Sequence, residues 1–390
     1  MFDGHQSRKQ FKQLFLGSVL FLGLVILFTF GVFAEETNNP PLTLSEAVNI
    51  ALENGNEMKK AQFDLQQNEL NYKKTKADLL LAPSILSELS NETALLVAQR
   101  NYEITRSNQI QVVEEAYYNI LKLQRSVVLA QENISRSQKQ LENVKAKYSL
   151  GMVAQIDVIS AEYELSKAQS DLLNAESNLQ VAKMNLNQLL GKDLNAPVEL
   201  ASELVFNPSK IDLEKSIEYA LEHRLEIKKA EDEVILKTKE VQVNTNDYTP
   251  VINQQLSQVG LQISLVNLEN IKNNIQIELK QIFEAFNTAE RAVPLQEKSL
   301  IRANEYLKIA EARYDAGVIT SIELIDARNE AYQTENAYLQ AVFDYNVAKS
   351  KFYNSLGMSL EERVKVFSDE GSGTVREKQD TEEEGETPTN

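Results

Sequence analysis

The chain has 390 residues, 57 Asp and Glu against 40 Lys and Arg, and neither cysteine nor tryptophan. That excludes a disulfide framework, a thiolate metal site and thiol nucleophilic catalysis, and two histidines, His5 and His223, are too few for a histidine cluster within one protomer. A net charge of −17 disfavours nucleic acid as a partner, because affinity for a phosphate backbone comes from Lys and Arg.

At the N-terminus Arg8, Lys9 and Lys12 precede an uncharged run from Leu14 to Phe33, closed by Ala34 before the acidic Glu35. This order reads as a secretory signal cleaved after Ala34. The run is also long enough to span a bilayer at ~1.5 Å per residue, so residues 1–34 are expected to be a signal peptide or an N-terminal anchor.

Next comes a segment that the chain repeats. "LSEAVNIALENGNEMKKA" (Leu44 to Ala61) returns as "LEKSIEYALEHRLEIKKA" (Leu213 to Ala230), and "KYSLGMVAQIDVISA" (Lys147 to Ala161) returns as "RYDAGVITSIELIDA" (Arg313 to Ala327). Order and spacing are kept, which predicts two equivalent halves, 42–200 and 208–357. Within this duplication His223 takes the place of Asn54 and is expected to lie on the surface or cap a helix.

No proline occurs from 84 to 196, so very long helices are allowed there. Between Gly151 and Gly191, Val158, Ala161, Leu165, Ala168, Leu172, Ala175, Leu179, Ala182, Leu186 and Leu189 alternate three and four residues apart, which is a heptad seam. One column is large and the other nearly all alanine. The second half repeats the design with Leu324, Ala331, Tyr338, Tyr345 and Phe352 opposite Ala327, Thr334, Ala341, Ala348 and Ser355.

Upstream of the first glycine turn a matching stripe of Leu123, Val127, Ala130, Ile134, Ser137, Leu141, Val144 and Tyr148 predicts a descending helix. Each half is therefore expected to be a long antiparallel coiled-coil hairpin of helices ~35–40 residues long, turning at Gly151 and at Gly317. The fold class is mainly α. Hairpins of this shape have too little apolar surface to form a compact globule alone, and oligomerisation is the natural way to complete them.

Taken together, "LSEAVNIALENGNEMKKAQ", "RYDAGVITSIELIDARNEAY" and the repeat ends "NQLLG" and "YNSLG" resemble the TolC-like outer-membrane efflux factor family, from Leu42 to Gly357. The resemblance implies a homotrimer whose six hairpins form a twelve-helix tube. It implies a passive conduit in an efflux or type I secretion system, joined by a periplasmic adaptor (membrane fusion) protein to an inner-membrane ABC or proton-driven pump.

By the same resemblance Glu323 and Asp326 ring the closed tip of the tube, with Asp157 as the counterpart of Glu323. Tyr148, Gly151, Tyr314 and Gly317 would form the surface that meets the adaptor. The arginine that often latches the family's tip is replaced by Ile319. No cofactor and no firm metal site is implied, and the expected location is the cell envelope, at the outer membrane.

Family members also carry two membrane strands in each half. Here the first half has room only for "SILSELSN", because the residues that follow already read as helix, while "VGLQISLV" (Val259 to Val266) alternates with the period of a strand. Little or no β-barrel is expected. The competing reading is a structural coiled-coil spacer of the envelope, and no phosphate loop or nucleophile motif suggests an enzyme. Beyond the second repeat, residues 368–390 have no apolar period and are expected to be a disordered acidic tail.

Overall fold

The computed structural model describes residues 41–358. The expected signal or anchor at 1–34 and the acidic tail at 368–390 lie outside them. Among the described residues eight helices follow in order: α1 Leu44–Asn54, α2 Asn56–Leu81, α3 Ile85–Ser149, α4 Gln155–Leu189, α5 Leu213–His223, α6 Leu225–Asn244, α7 Val251–Asp315 and α8 Ser321–Ser355. The duplication is metrical. α1 and α5 both have 11 residues, α3 and α7 both 65, and α4 and α8 both 35, and only α2 (26) and α6 (20) differ.

The starts of α1, α3, α5 and α8 are specified by short polar side chains that take up otherwise orphaned backbone N–H groups. The Thr43 hydroxyl accepts from the Glu46 amide at 3.2 Å while the Glu46 carboxylate accepts from the Thr43 amide at 2.9 Å, a complete capping box. Asp212 accepts from the amides of Glu214 and Lys215 at the start of α5, and Ser84 from Ser87 at the start of α3.

Two findings depart from the sequence reading. The descending helices are not 35–40 residues but 65, or roughly 98 Å at ~1.5 Å per residue, because α3 begins at Ile85, two residues after Pro83, and α7 directly after Pro250. Proline is well tolerated just before or at a helix start, and each of these turns is short.

The strand expected over Val259–Val266 is instead part of α7. Its eight-residue alternation is also part of a longer helical pattern. Ile252, Leu256, Val259, Ile263 and Val266 recur four and three apart as one exposed stripe, while Ser257 and Ser264, seven apart, are buried. Among the described residues the only β contact is an isolated parallel bridge between Leu42 and Leu200.

The helices form a single layer. Near the glycine turns the main neighbours run α4, α3, α8, α7, and at the far end they run α2, α3, α6, α7. α3 and α7 thus extend through both parts, and α7 is an edge throughout. Between these zones α1 packs on α3 and the end of α4 around Ala47, Val48, Ala51, Val113, Tyr117 and Leu186. The second half repeats this packing with Ala220, Ile227, Leu279 and Phe352.

In the first hairpin the small column is the deeper one, whereas in the second Leu324, Tyr345 and Phe352 of the large column are buried as deeply as the alanines. Ala161, Ala168 and Ala182 are buried, as are Ala327, Ala331 and Ala341. Leu165, Leu172 and Leu179 remain half-buried, since a single layer leaves one face of the seam without a cover.

Candidate functional site at the hairpin tips

Both tips are built by the same backbone device. Where α3 ends, the Gly151 amide donates to the Tyr148 carbonyl at 2.9 Å and the Met152 amide to the Lys147 carbonyl at 2.9 Å. Where α7 ends, the Gly317 amide donates to Tyr314 at 3.0 Å and the Val318 amide to Arg313 at 2.9 Å. These paired bonds close a helix through a left-handed residue, and Gly151 and Gly317 have φ of 72° and 70°. A side chain at either glycine would meet nothing within 4 Å, so the backbone conformation alone accounts for both.

Two of the three acidic residues expected at the aperture, Glu323 and Asp157, have a local task. The Glu323 carboxylate accepts from the Thr320 amide at 2.8 Å and the Thr320 hydroxyl at 2.9 Å, while the Glu323 amide donates to that hydroxyl at 3.2 Å. Thr320, Ser321, Ile322 and Glu323 therefore form the capping box of α8, a signal already readable as T-x-x-E. The Thr320 amide, then its hydroxyl, and more weakly Arg313 hold the Glu323 carboxyl below the usual range. Asp157 does the equivalent work on α4, accepting from the Ala154 amide at 3.0 Å.

Asp326 is exposed and free of such a bond among those observed, and it lies one turn further along α8 than Glu323. The two carboxylates thus share the first turns of α8, but only Asp326 projects without an assigned local partner. Among the described residues no group of three or more His, Asp or Glu side chains is arranged to hold a metal ion.

The two tyrosines are not equivalent. Tyr148 is about half exposed, whereas Tyr314 is buried among Leu307, Ala310, Leu324 and Ala327. Its ring receives the Lys147 ammonium, 3.7 Å from the centroid, and its hydroxyl is buried without a hydrogen-bond partner. Tyr148, Gly151, Gly317 and the apolar Leu150, Met152, Val318 and Ile322 present the exposed surface of the tips.

Sequence reasoning missed the side chains that join the hairpins. The Gln140 amide reaches the Ser321 hydroxyl at 3.5 Å, both buried, and Arg328 donates to the Arg136 carbonyl at 3.4 Å and the Glu311 carboxylate at 3.1 Å. No local pattern marks these contacts, because the partners of Gln140 and of Lys147 are 181 and 167 residues away.

This architecture has relatives. The family model described as outer membrane efflux protein matches residues 89–192 and 262–358, one segment in each half and together just over half of the chain. Nodulation protein T of Rhizobium leguminosarum bv. trifolii is 25% identical over 156 residues, covering 40% of this chain and 33% of that protein, so the match spans about a third of the relative's length.

Among solved structures, a membrane protein from Pseudomonas aeruginosa aligns with a TM-score of 0.69 at 15% identity, over 82% of this chain and 91% of that one. The CmeC outer membrane channel of Campylobacter jejuni aligns at 0.67 with 15% identity, over 84% and 89%. At such identities the likeness speaks for the fold. With a family match in both halves, and a layer of long paired hairpins shared with solved channels, this chain belongs to the outer membrane efflux protein family.

Proposed function

We propose that the chain is the passive conduit of an efflux or type I secretion system, and that three copies close the single helical layer into a twelve-helix tube. Residues 42–200 and 208–357 would each supply one sixth of its wall. Membership of an efflux family makes the chain a transport component of the cell envelope rather than an enzyme.

The observation that carries the proposal is the layer itself. Its two edges, α7 on one side and α2 with α4 on the other, both expose large apolar side chains, among them Leu295, Ile301 and Ile309 on α7 and Ile159, Tyr163 and Leu173 on α4. Two unlike edges join head to tail, and such contacts close into a ring when the rotation permits. The energy would come from an inner-membrane ABC or proton-driven pump, with a periplasmic adaptor seated on the exposed tip surface around Tyr148, Gly151 and Gly317.

Asp326, repeated three times around the narrow end, would raise the local cation concentration, with Glu323 and Asp157 contributing what charge their caps leave accessible. The test is single-channel conductance of the purified protein in a planar bilayer. A cation-preferring conductance whose selectivity falls in Asp326→Asn supports the conduit. No conductance, together with a monomeric mass in solution, would instead support an envelope spacer.

A further inference from the structure

The end of the layer opposite the glycine tips is formed by two short turns, α2 to α3 at residues 82–84 and α6 to α7 at residues 245–250. They lie at one level. α3 and α7 have the same length and end at equivalent tip turns, and Leu86 and Ser87 line one groove with Leu236 and Lys237.

Five large side chains stand in or directly beside these turns: Leu80, Leu81, Ile85, Tyr248 and Val251, each between 66% and 97% exposed. They do not belong to the lateral stripe of α7, which runs down the helix from Ile252 at heptad spacing and suits a neighbouring helix. Tyr248 lies in a turn and the other four are terminal residues of three different helices, so together they give no single helical periodicity for a partner helix to match.

Charge singles out the same end. A quarter of all residues are charged, yet none is from 79 to 87 and none from 248 to 268, a run of 21. Around the first turn Lys73, Lys74 and Lys76 are balanced by Asp78, Glu88 and Glu92, and around the second Lys237 and Lys239 by Glu240 and Asp247. The rim is therefore neutral on a chain of net charge −17. A solvated end of so acidic a protein has no physical reason to lose its charges while exposing leucine.

We infer that this rim rests on a lipid surface, with the five apolar side chains inserted into the interfacial zone. An apolar edge reaches ~5–10 Å into that zone, and tyrosine with lysine a few residues behind is the composition that zone favours. Tyr248 stands at one apex, and Lys76 lies five residues before Leu81, about 7.5 Å along α2 at ~1.5 Å per residue. The contact does not depend on the chain conducting, so it stands or falls separately from the conduit.

The chain has no cysteine, which makes site-specific labelling clean. Tyr248→Cys and Leu81→Cys at the rim, and Met152→Cys at the opposite tip, are each labelled with an environment-sensitive fluorophore and mixed with phosphatidylcholine vesicles whose acyl chains carry bromine. The expected result is at least twofold quenching at both rim positions and none at 152. No quenching at the rim would overturn the inference, as would equal quenching at rim and tip. Pyrene excimers at the rim without lipid would also overturn it, assigning the surface to end-to-end pairing of copies. Conductance measured on the same preparations separates a failed rim from a failed conduit.

Discussion

The ammonium of Lys147, at the end of α3, lies 3.7 Å from the ring centroid of Tyr314, at the end of α7, and 3.5 Å from the Tyr314 carbonyl oxygen. One side chain of the first hairpin thereby donates to a carbonyl at the helix terminus of the second and covers the aromatic face of the same residue. Cations are favoured at helix C-termini and over tyrosine rings, so both interactions act in the same direction. The contact ties the two tips although Ile319 stands where the resembled family often has an arginine.

Removing the charge in Lys147→Met is expected to cost about 0.5–2 kcal/mol, the range of a cation over an aromatic ring. Tyr314→Phe should act the other way. Its hydroxyl is buried without a partner, and its removal should stabilise by about 1 kcal/mol. Urea denaturation of the two variants measures both, and a loss of stability in Tyr314→Phe would show that the hydroxyl has a partner in the assembled protein.

Two glycines with similar backbone angles should respond very differently to alanine. At Gly317 the added carbon meets nothing within 4 Å, so only the left-handed backbone resists, at about 1–2 kcal/mol. At Gly191, φ 65°, the carbon would lie 2.2 Å from the Asn54 carbonyl oxygen, where α4 ends against the junction of α1 and α2. Overpacking adds to the strain, and Gly191→Ala should cost about 3 kcal/mol or more. Equal denaturation midpoints for the two variants would contradict this.

The capping box of α8 links stability to pH. The folded Glu323 carboxyl is held below its ordinary value of 4.5, so as pH falls the unfolded chain takes up this proton first. The stabilisation is complete above about 4.5 and is lost as pH falls through the folded value. Glu323→Gln should therefore lower the urea midpoint at pH 7 and differ less from the parent at pH 3.5. Thr320→Ala, which removes the hydroxyl half of the box, should cost about 1 kcal/mol. A variant effect that stays constant across this range would exclude the cap as its cause.

The hairpins were legible because their packing is local and periodic. Alanine at 161, 168 and 182 announces a tight seam in the letters themselves, and the two glycine turns recur in equivalent segments. The acidic residues near the tip were legible as a group, and the capping task of Glu323 is an additional role that its sequence context carries. T-x-x-E at 320–323 is a capping signature, and its carboxylate is engaged before any aperture is formed. The segment 259–266 was misread because an eight-residue window fits a strand, while the stripe from Ile252 to Val266 fits a helix only when both ends are included. What joins the hairpins was not legible at all. Lys147 and Tyr314 are 167 residues apart, and only the duplication brings them level.

Pro294 offers a last test of how α7 holds its length. It lies inside the 65-residue helix, exposed, and it lacks the amide that would donate to the Glu290 carbonyl. A proline in a helix interior costs about 3 kcal/mol relative to alanine, so Pro294→Ala should raise stability by up to about that amount. The neighbouring Val293 is buried with Val342 and Tyr345 in a cluster between α7 and α8. If the missing hydrogen bond sets the direction in which α7 meets α8, restoring it displaces Val293 and stability falls instead. Thermal melting of Pro294→Ala, with Val293→Ala as the reference for a loosened cluster, distinguishes a tolerated proline from one that shapes the wall.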